Sequence, residues 1–276
     1  MSVAKITLQR LSDVAETLLF PLYVRAIESQ RPDAIFKDDR AVALVQRIDY
    51  DFSQLKFFDE TDQASAALRT REFDRHTRDF LNRHPEAVVV HIGCGLDTRF
   101  ERVDNGKVEW YDLDLPEAVE LRKKLIGGEG ARYHLLSCSV FDSTWLKTVS
   151  VHRQRPFLFL AEGVLMYFEE AQAKSLVLTL REHFPGAELV FDAVVPSVVW
   201  ANNRRMATTR IRARYHWGLK HGKDLESWGD GIRLLDEWFF LDHPEPRIAI
   251  TRWTRFLPPF AKANGIFHYR LGEAPR

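Results

Sequence analysis

Between Ala87 and Ala193, short apolar runs alternate with stretches whose apolar residues recur at helical spacing. The runs Ala87–Gly93, Val108–Leu113, Tyr133–Ser137, Phe157–Ala161 and Glu188–Ala193 have the near-continuous apolar character of strands buried on both faces. Helical periodicity falls between them at Pro116–Ile126, with proline at a helix start, and at Trp145–Ser150 and Glu169–Phe184. This alternation predicts an α/β fold built on a doubly wound, mostly parallel sheet. In such sheets ligands sit beyond the carboxyl ends of the strands. Here those ends are Gly93–Asp97, Asp112–Asp114, Ser137–Asp142, Glu162 and Asp192, and each carries polar or acidic residues.

The flanks read differently. Residues 1–84 are mostly helical: Ala15–Glu28 is interrupted by Pro21, Ala41–Ile48 is short, and Ala64–Arg83 is long, highly charged and closed by Pro85. They are expected to form a cap or lid over a core of residues 85–276. After the fifth strand, residues 196–233 read as a substrate-cap insertion, with a basic helix over Asn202–Arg214. Leu234–Leu241 fits a strand or a short helix, Arg252–Asn264 looks helical, and Phe267–Leu271 alternates as a final edge strand would.

Composition narrows the function. The chain has 276 residues, 45% of them hydrophobic, which suits one elaborated globular domain. Lys+Arg and Asp+Glu both number 39, a balance that argues against nucleic acid as partner. Two cysteines, Cys94 and Cys138, make neither a disulfide framework nor a CxxC zinc pair, and no metal is expected. Neither a signal-peptide core nor a membrane-length apolar run is found, so the expected location is the cytoplasm.

The most informative local feature is Gly93-Cys94-Gly95 at the end of the first strand, followed by Asp112 and Asp114 at the tip of the second. Paired glycines let the backbone bend sharply beside a ligand, and an acid about 20 residues on accepts ribose hydroxyls. Asp112 and Asp114 lie on the same side of an extended chain, so either fits that role. A dinucleotide site calls for a third glycine where this chain has Thr98, and no GxxxxGK[ST] run is present. A nucleoside cofactor without phosphates, S-adenosyl-L-methionine, matches best. A nicotinamide-dependent oxidoreductase and a non-catalytic nucleoside-binding module are the alternatives from other classes.

Four segments in order carry a family likeness: Ala67-Leu68-Arg69-Thr70-Arg71-Glu72-Phe73-Asp74, His91-Ile92-Gly93-Cys94-Gly95-Leu96-Asp97-Thr98-Arg99, Trp110-Tyr111-Asp112-Leu113-Asp114-Leu115-Pro116 and Ala161-Glu162-Gly163-Val164-Leu165-Met166-Tyr167-Phe168. Together they resemble the leucine carboxyl methyltransferase superfamily of class I S-adenosylmethionine-dependent O-methyltransferases, in particular its bacterial branch. The resemblance implies a class I, Rossmann-like fold. It makes Arg69, with Arg71 as the alternative, the partner of the cofactor's methionyl carboxylate, Gly93 and Gly95 the turn beneath it, and Asp114 the ribose acid. Ser139 and Val140 fall where such enzymes meet adenine. Glu162 falls near both the cofactor's amino group and the acceptor, and Tyr167 lines the same pocket.

The reaction so implied is methyl transfer to an oxygen of a small-molecule, polyketide-like acceptor. A carboxylate is already ionised near neutral pH and needs orientation rather than a base, whereas a phenolic hydroxyl more often needs one. Tyr23 in the N-terminal helices and Arg204, Arg210 and Trp217 in the insertion are the candidate acceptor contacts. A protein carboxyl terminus is the alternative acceptor.

Overall fold

The computed structural model describes residues 6–7, 13–55, 59–207, 213–242, 245–248 and 262–273. The expected strands form one seven-stranded sheet. They are β1 (Val88–Ile92), β2 (Glu109–Asp114), β3 (Tyr133–Ser137), β4 (Phe157–Ala161), β5 (Ala187–Val194), β6 (Ile232–Phe239) and β7 (Asn264–Leu271). Their order is β3-β2-β1-β4-β5-β7-β6. β1 lies centrally, with Val90 opposite both Tyr111 and Phe159 in parallel register. β7 runs antiparallel to β5 and β6.

One open reading is decided here and one expectation changes. Leu234–Leu241 belongs largely to a strand, β6. The last strand is not an edge strand: β7 is inserted between β5 and β6, and β6 forms the edge. The burial explains the order, because β7 is buried along nearly its whole length while the middle of β6 is open to solvent.

Helices cover both faces. On one side, Val88, Val90, Phe157 and Phe159 meet Trp145 of α6 (Thr144–Val149) and Leu176 and Leu180 of α7 (Glu170–His183). The alternate residues Val89, Leu158, Leu160 and Val190 meet Leu68, Phe73 and Phe80 of α3 (Glu60–Arg83). The period-2 alternation of strand side chains thus feeds two separate apolar layers. α3 was expected with the N-terminal cap, yet it packs directly on the sheet.

The remaining N-terminal helices, α1 (Asp13–Ser29) and α2 (Asp39–Arg47), form a third apolar cluster. Leu19, Leu22, Ala41 and Leu44 pack there with Leu96 and with Leu121 and Leu125 of α5 (Pro116–Leu125). α1 continues through Pro21, whose missing N–H removes one helical bond. Burial of Leu19, Leu22 and Ala26 around that point offsets the loss. Beyond β5, the basic helix α8 spans Pro196–Met206 and does not continue to Arg214. Residues 213–219 are non-helical, and 208–212 lie outside the described residues. Most of the helix expected over Arg252–Asn264 also falls outside them; its last three residues are described and are not helical, Lys262 and Ala263 forming a turn and Asn264 opening β7.

His76 of α3 is buried against β7, its ring edge-to-face with His268 at 5.2 Å. Its Nε2 lies 3.1 Å from a guanidinium nitrogen of Arg75, so the ring accepts that bond and is neutral. Burial, then the charges of Arg75 and His268, lower its pKa from 6.5 to about 4, against weaker opposition from Asp236 and Glu72. The unfolded chain therefore takes up a proton on acidification that the folded chain refuses. Stability present above pH 6.5 is lost as the pH falls towards 4, by about 3 kcal/mol. Urea unfolding of wild type and His76→Gln across this range should give a flatter pH dependence in the variant; equal slopes would show that His76 does not control it.

Candidate active site

The candidate site begins where β1 ends. Gly93 and Gly95 both take positive φ, +65° and +50°, a region that glycine enters without steric cost. The Gly93 N–H donates to the Leu113 carbonyl at 2.8 Å, folding the turn onto the tip of β2. A Cβ on Gly93 would collide with Val164 Cγ2, so the turn after β4 packs directly on the turn after β1. Cys94, between the glycines, is buried, and burial pushes its thiol pKa well up.

The two aspartates of β2 have different environments. Asp112 is an interior group. Its carboxylate accepts from Trp110 Nε1 at 2.8 Å and from the Tyr133 hydroxyl at 2.6 Å, and it pairs with the buried Arg122. Its oxygens are taken within the core, because α5 brings Arg122 against it, and Arg122 Nη1 also donates to the Gly95 carbonyl at 2.9 Å. Asp114 stands at the tip, half-buried. Its Oδ2 accepts from the Gly95 N–H and its Oδ1 from the Leu115 N–H, both at 2.7 Å. Burial pushes its carboxyl above the ordinary range, opposed by those two backbone donors.

Opposite, α3 and β4 bring Arg69 and Glu162 together. Arg69 Nε donates to Glu162 Oε1 at 3.0 Å, and Nη1 reaches Asp192 Oδ2 of β5 at 3.3 Å. Gly163 follows Glu162 with φ +67°, and a Cβ there would sit 3.6 Å from Arg69 Nη1, so the guanidinium lies against this turn. The Gly163 N–H donates to Asp192 Oδ1 at 2.6 Å. Burial raises the Asp192 carboxyl pKa, against the charge of Arg69. Burial works the same way on Glu162, yet Arg99 and Arg69 hold its carboxyl below the ordinary value. Arg71, the alternative to Arg69, is turned away. Two positions on a helix rotate the side chain by about 200°, and Arg71 pairs with Glu72 instead.

The rim carries aromatic groups. Tyr167 is 37% exposed and meets Tyr215 edge-to-face at 5.1 Å. Burial raises both phenol pKa values. Tyr215 is held from outside: Asn203 of α8 bonds its backbone carbonyl and N–H at 2.7 and 2.8 Å. Leu115 and Phe141 are 45% and 47% exposed, beside Asp114 and the Ser139–Val140 loop. In that loop, Ser139 Oγ accepts from the Phe141 N–H at 3.2 Å and the Val140 carbonyl accepts from Trp145 Nε1 at 3.0 Å.

Three expected acceptor contacts are engaged with other residues. Trp217 is a core residue packed against Phe191 and Trp228, because its backbone is anchored at Met166 and the ring turns inward. Tyr23 stacks on Phe52 at 4.9 Å within the N-terminal cluster. Arg204 lies over the exposed Trp200 ring, 4.9 Å from its centre. Arg210 lies outside the described residues. Sequence reading missed Arg99 as a site residue, although it closes the glycine motif and stands one helical turn before Arg102. It also passed over Asp192 as the second partner of Arg69, visible only as an acid at a strand end.

The fold is an α/β protein whose sheet gathers carboxylates and guanidinium groups at its strand tips. A model of the leucine carboxyl methyltransferase family matches residues 19–181, more than half of the chain, and the chain belongs to that family. It is an S-adenosyl-L-methionine-dependent methyltransferase, which removes the nicotinamide reading. Among its relatives is the tetracenomycin polyketide synthesis O-methyltransferase of Streptomyces glaucescens, 37% identical over 267 residues that cover 94% of this chain and 97% of the relative. An S-adenosyl-L-methionine-dependent methyltransferase of Gibberella zeae is 28% identical over 88% of this chain and 87% of its own. Solved structures share the fold. A Thermobifida fusca protein assigned as a methyltransferase superposes with a TM-score of 0.59 at 14% identity, covering 93% of this chain and 97% of its own. A DUF574-family protein of Streptomyces avermitilis gives 0.56 at 13% identity, covering 94% and 99%.

The environments of the two aspartates separate their expected mutant effects. Asp112→Ala strands Arg122 in the core and should cost about 3–5 kcal/mol of unfolding free energy. Asp114→Ala removes a half-buried tip acid and should cost much less. Urea titration of both variants checks this, and equal losses would contradict the structural role of Asp112.

Proposed function

We propose that the chain methylates an oxygen, most readily a carboxylate, of a small-molecule, polyketide-like acceptor. The observation that carries this reading is the juxtaposition of Arg69, Glu162 and the Gly93–Gly95 turn with Asp114 at one end of the sheet. The acceptor class is supported by the 37% identical relative, whose name records polyketide synthesis and O-methylation.

The residues present suit S-adenosyl-L-methionine. Arg69 Nη2 has no acceptor among the described residues, and 24% of the side chain is accessible, so it is free to donate to a methionyl carboxylate. Glu162 offers its remaining lone pairs to the ammonium. Asp114 has one backbone donor on each oxygen and keeps capacity for ribose hydroxyls. Asp112, saturated in the core, is not the ribose acid in this reading. Ser139 and Val140, with Leu115 and Phe141 beside them, supply the adenine side. When bound, the cofactor supplies a methyl group activated by its sulfonium.

The chain's own task is then to place the acceptor oxygen in line and keep water away. Tyr167 and Tyr215 stay protonated, because burial raises both pKa values, and they serve as hydroxyl donors to an anionic acceptor. That favours a carboxylate, which needs no base. α1 acts as a lid: Leu18 would lie 3.1 Å from a Cβ on Gly95, and Arg25 Nη2 donates to the Leu96 carbonyl at 2.8 Å.

Isothermal titration tests the cofactor assignment. S-adenosylhomocysteine should bind in the micromolar range and NAD should not. Asp114→Ala should weaken S-adenosylhomocysteine binding about tenfold or more through loss of a two-hydroxyl contact; wild-type affinity in that variant would refute the ribose assignment. Incubation with labelled S-adenosylmethionine and a panel of aromatic acids and phenols, read by mass, tests the acceptor. Transfer only to phenols would overturn the carboxylate preference.

A further inference from the structure

We infer that Arg99 is the positioning residue of this site: it fixes the Glu162 carboxylate at the strand tip so that it faces the cofactor's ammonium. The inference rests on the cofactor reading above and names a residue that reading does not use.

Arg99 opens α4 (Arg99–Val103) directly after the glycine turn and is completely buried. Every one of its nitrogens faces the protein. Nη2 donates to Glu162 Oε2 at 2.5 Å and lies 3.1 Å from Asp97 Oδ2. Nε donates to Asp74 Oδ1 at 2.8 Å, and Nη1 meets His91 Nε2 at 3.3 Å. The guanidinium also stands over the Phe73 ring, 5.3 Å from its centre. A group so enclosed touches no ligand; it acts through Glu162. Its partners are themselves held, since Arg102 pairs with both Asp74 and Asp97.

Glu162 depends on this support. Its Oε1 is held by Arg69 Nε, with Thr70 Oγ1 at 3.5 Å, and its Oε2 by Arg99. The other charged groups facing it, Asp97 and Asp192, are acids. Remove Arg99, and burial with two neighbouring carboxylates pushes Glu162 towards its neutral form. A neutral acid no longer pairs with an ammonium, and the side chain loses one of its two fixed contacts. Arg69, which the cofactor carboxylate also needs, is left as the single cation on Glu162.

The test compares two nucleosides by isothermal titration: S-adenosylhomocysteine, which carries the ammonium, and methylthioadenosine, which lacks the amino-acid moiety. Arg99→Met should weaken S-adenosylhomocysteine about tenfold or more while leaving methylthioadenosine within about twofold. Acid loss of S-adenosylhomocysteine binding should also begin at higher pH in the variant than in wild type. Arg99→Lys keeps the charge and serves where Arg99→Met does not fold; it should restore most of the pH profile but not the full affinity. Equal loss of both nucleosides in the folded variants, or no loss of either, would overturn the positioning role. A wild type that binds neither nucleoside would overturn the cofactor reading itself, and this inference with it.

Discussion

A buried chain of alternating charges ties this molecule together. It runs from Arg25 of α1 to Asp38, to Arg102, to Asp74 and Asp97, to Arg99, and ends on Glu162 and Arg69 at the strand tips. Each ion would be costly alone in the interior, and each is tolerated because its neighbour has opposite sign and good hydrogen-bond geometry. Such a chain adds little net stability over an apolar core. What it provides is direction: a guanidinium fork fixes a carboxylate in plane, and the next carboxylate fixes the fork.

That chain joins two layers which apolar packing leaves separate. The α1–α2 cluster packs on α5 and on Leu96, while α3 packs on the sheet. Asp38 lies where they meet. It caps α2 through the Ala41 N–H and receives Arg25, Arg102 and the Thr98 hydroxyl. The N-terminal helices are thereby docked by the same residues that brace the candidate site, so their seating and the geometry of Glu162 are not independent. Arg25 also holds the Leu96 carbonyl immediately after the glycine turn.

The same logic divides labour on β2. Asp112 and Asp114 share one side of the strand and differ only in depth. Two residues towards the core, a carboxylate must be saturated, and Trp110, Tyr133 and Arg122 do so. At the tip, backbone N–H groups stabilise the acid without exhausting it. On α3, Arg69 and Arg71 are likewise separated by helix rotation alone.

Much was legible in the sequence because it is local. Apolar runs marked the strands from β1 to β5, glycine at positive φ marked the turn, and the strand-end acids marked the rim, since each depends only on neighbouring residues. The order of the final strands, the seating of α3 on the sheet, the inward turn of Trp217 and the burial of Asp112 were decided by tertiary structure. So was the place of Arg99, whose partners come from positions 74, 91, 97 and 162. Periodicity reports which face of an element is apolar. It carries no record of which distant charge will be brought against another, and only the folded chain fixes that.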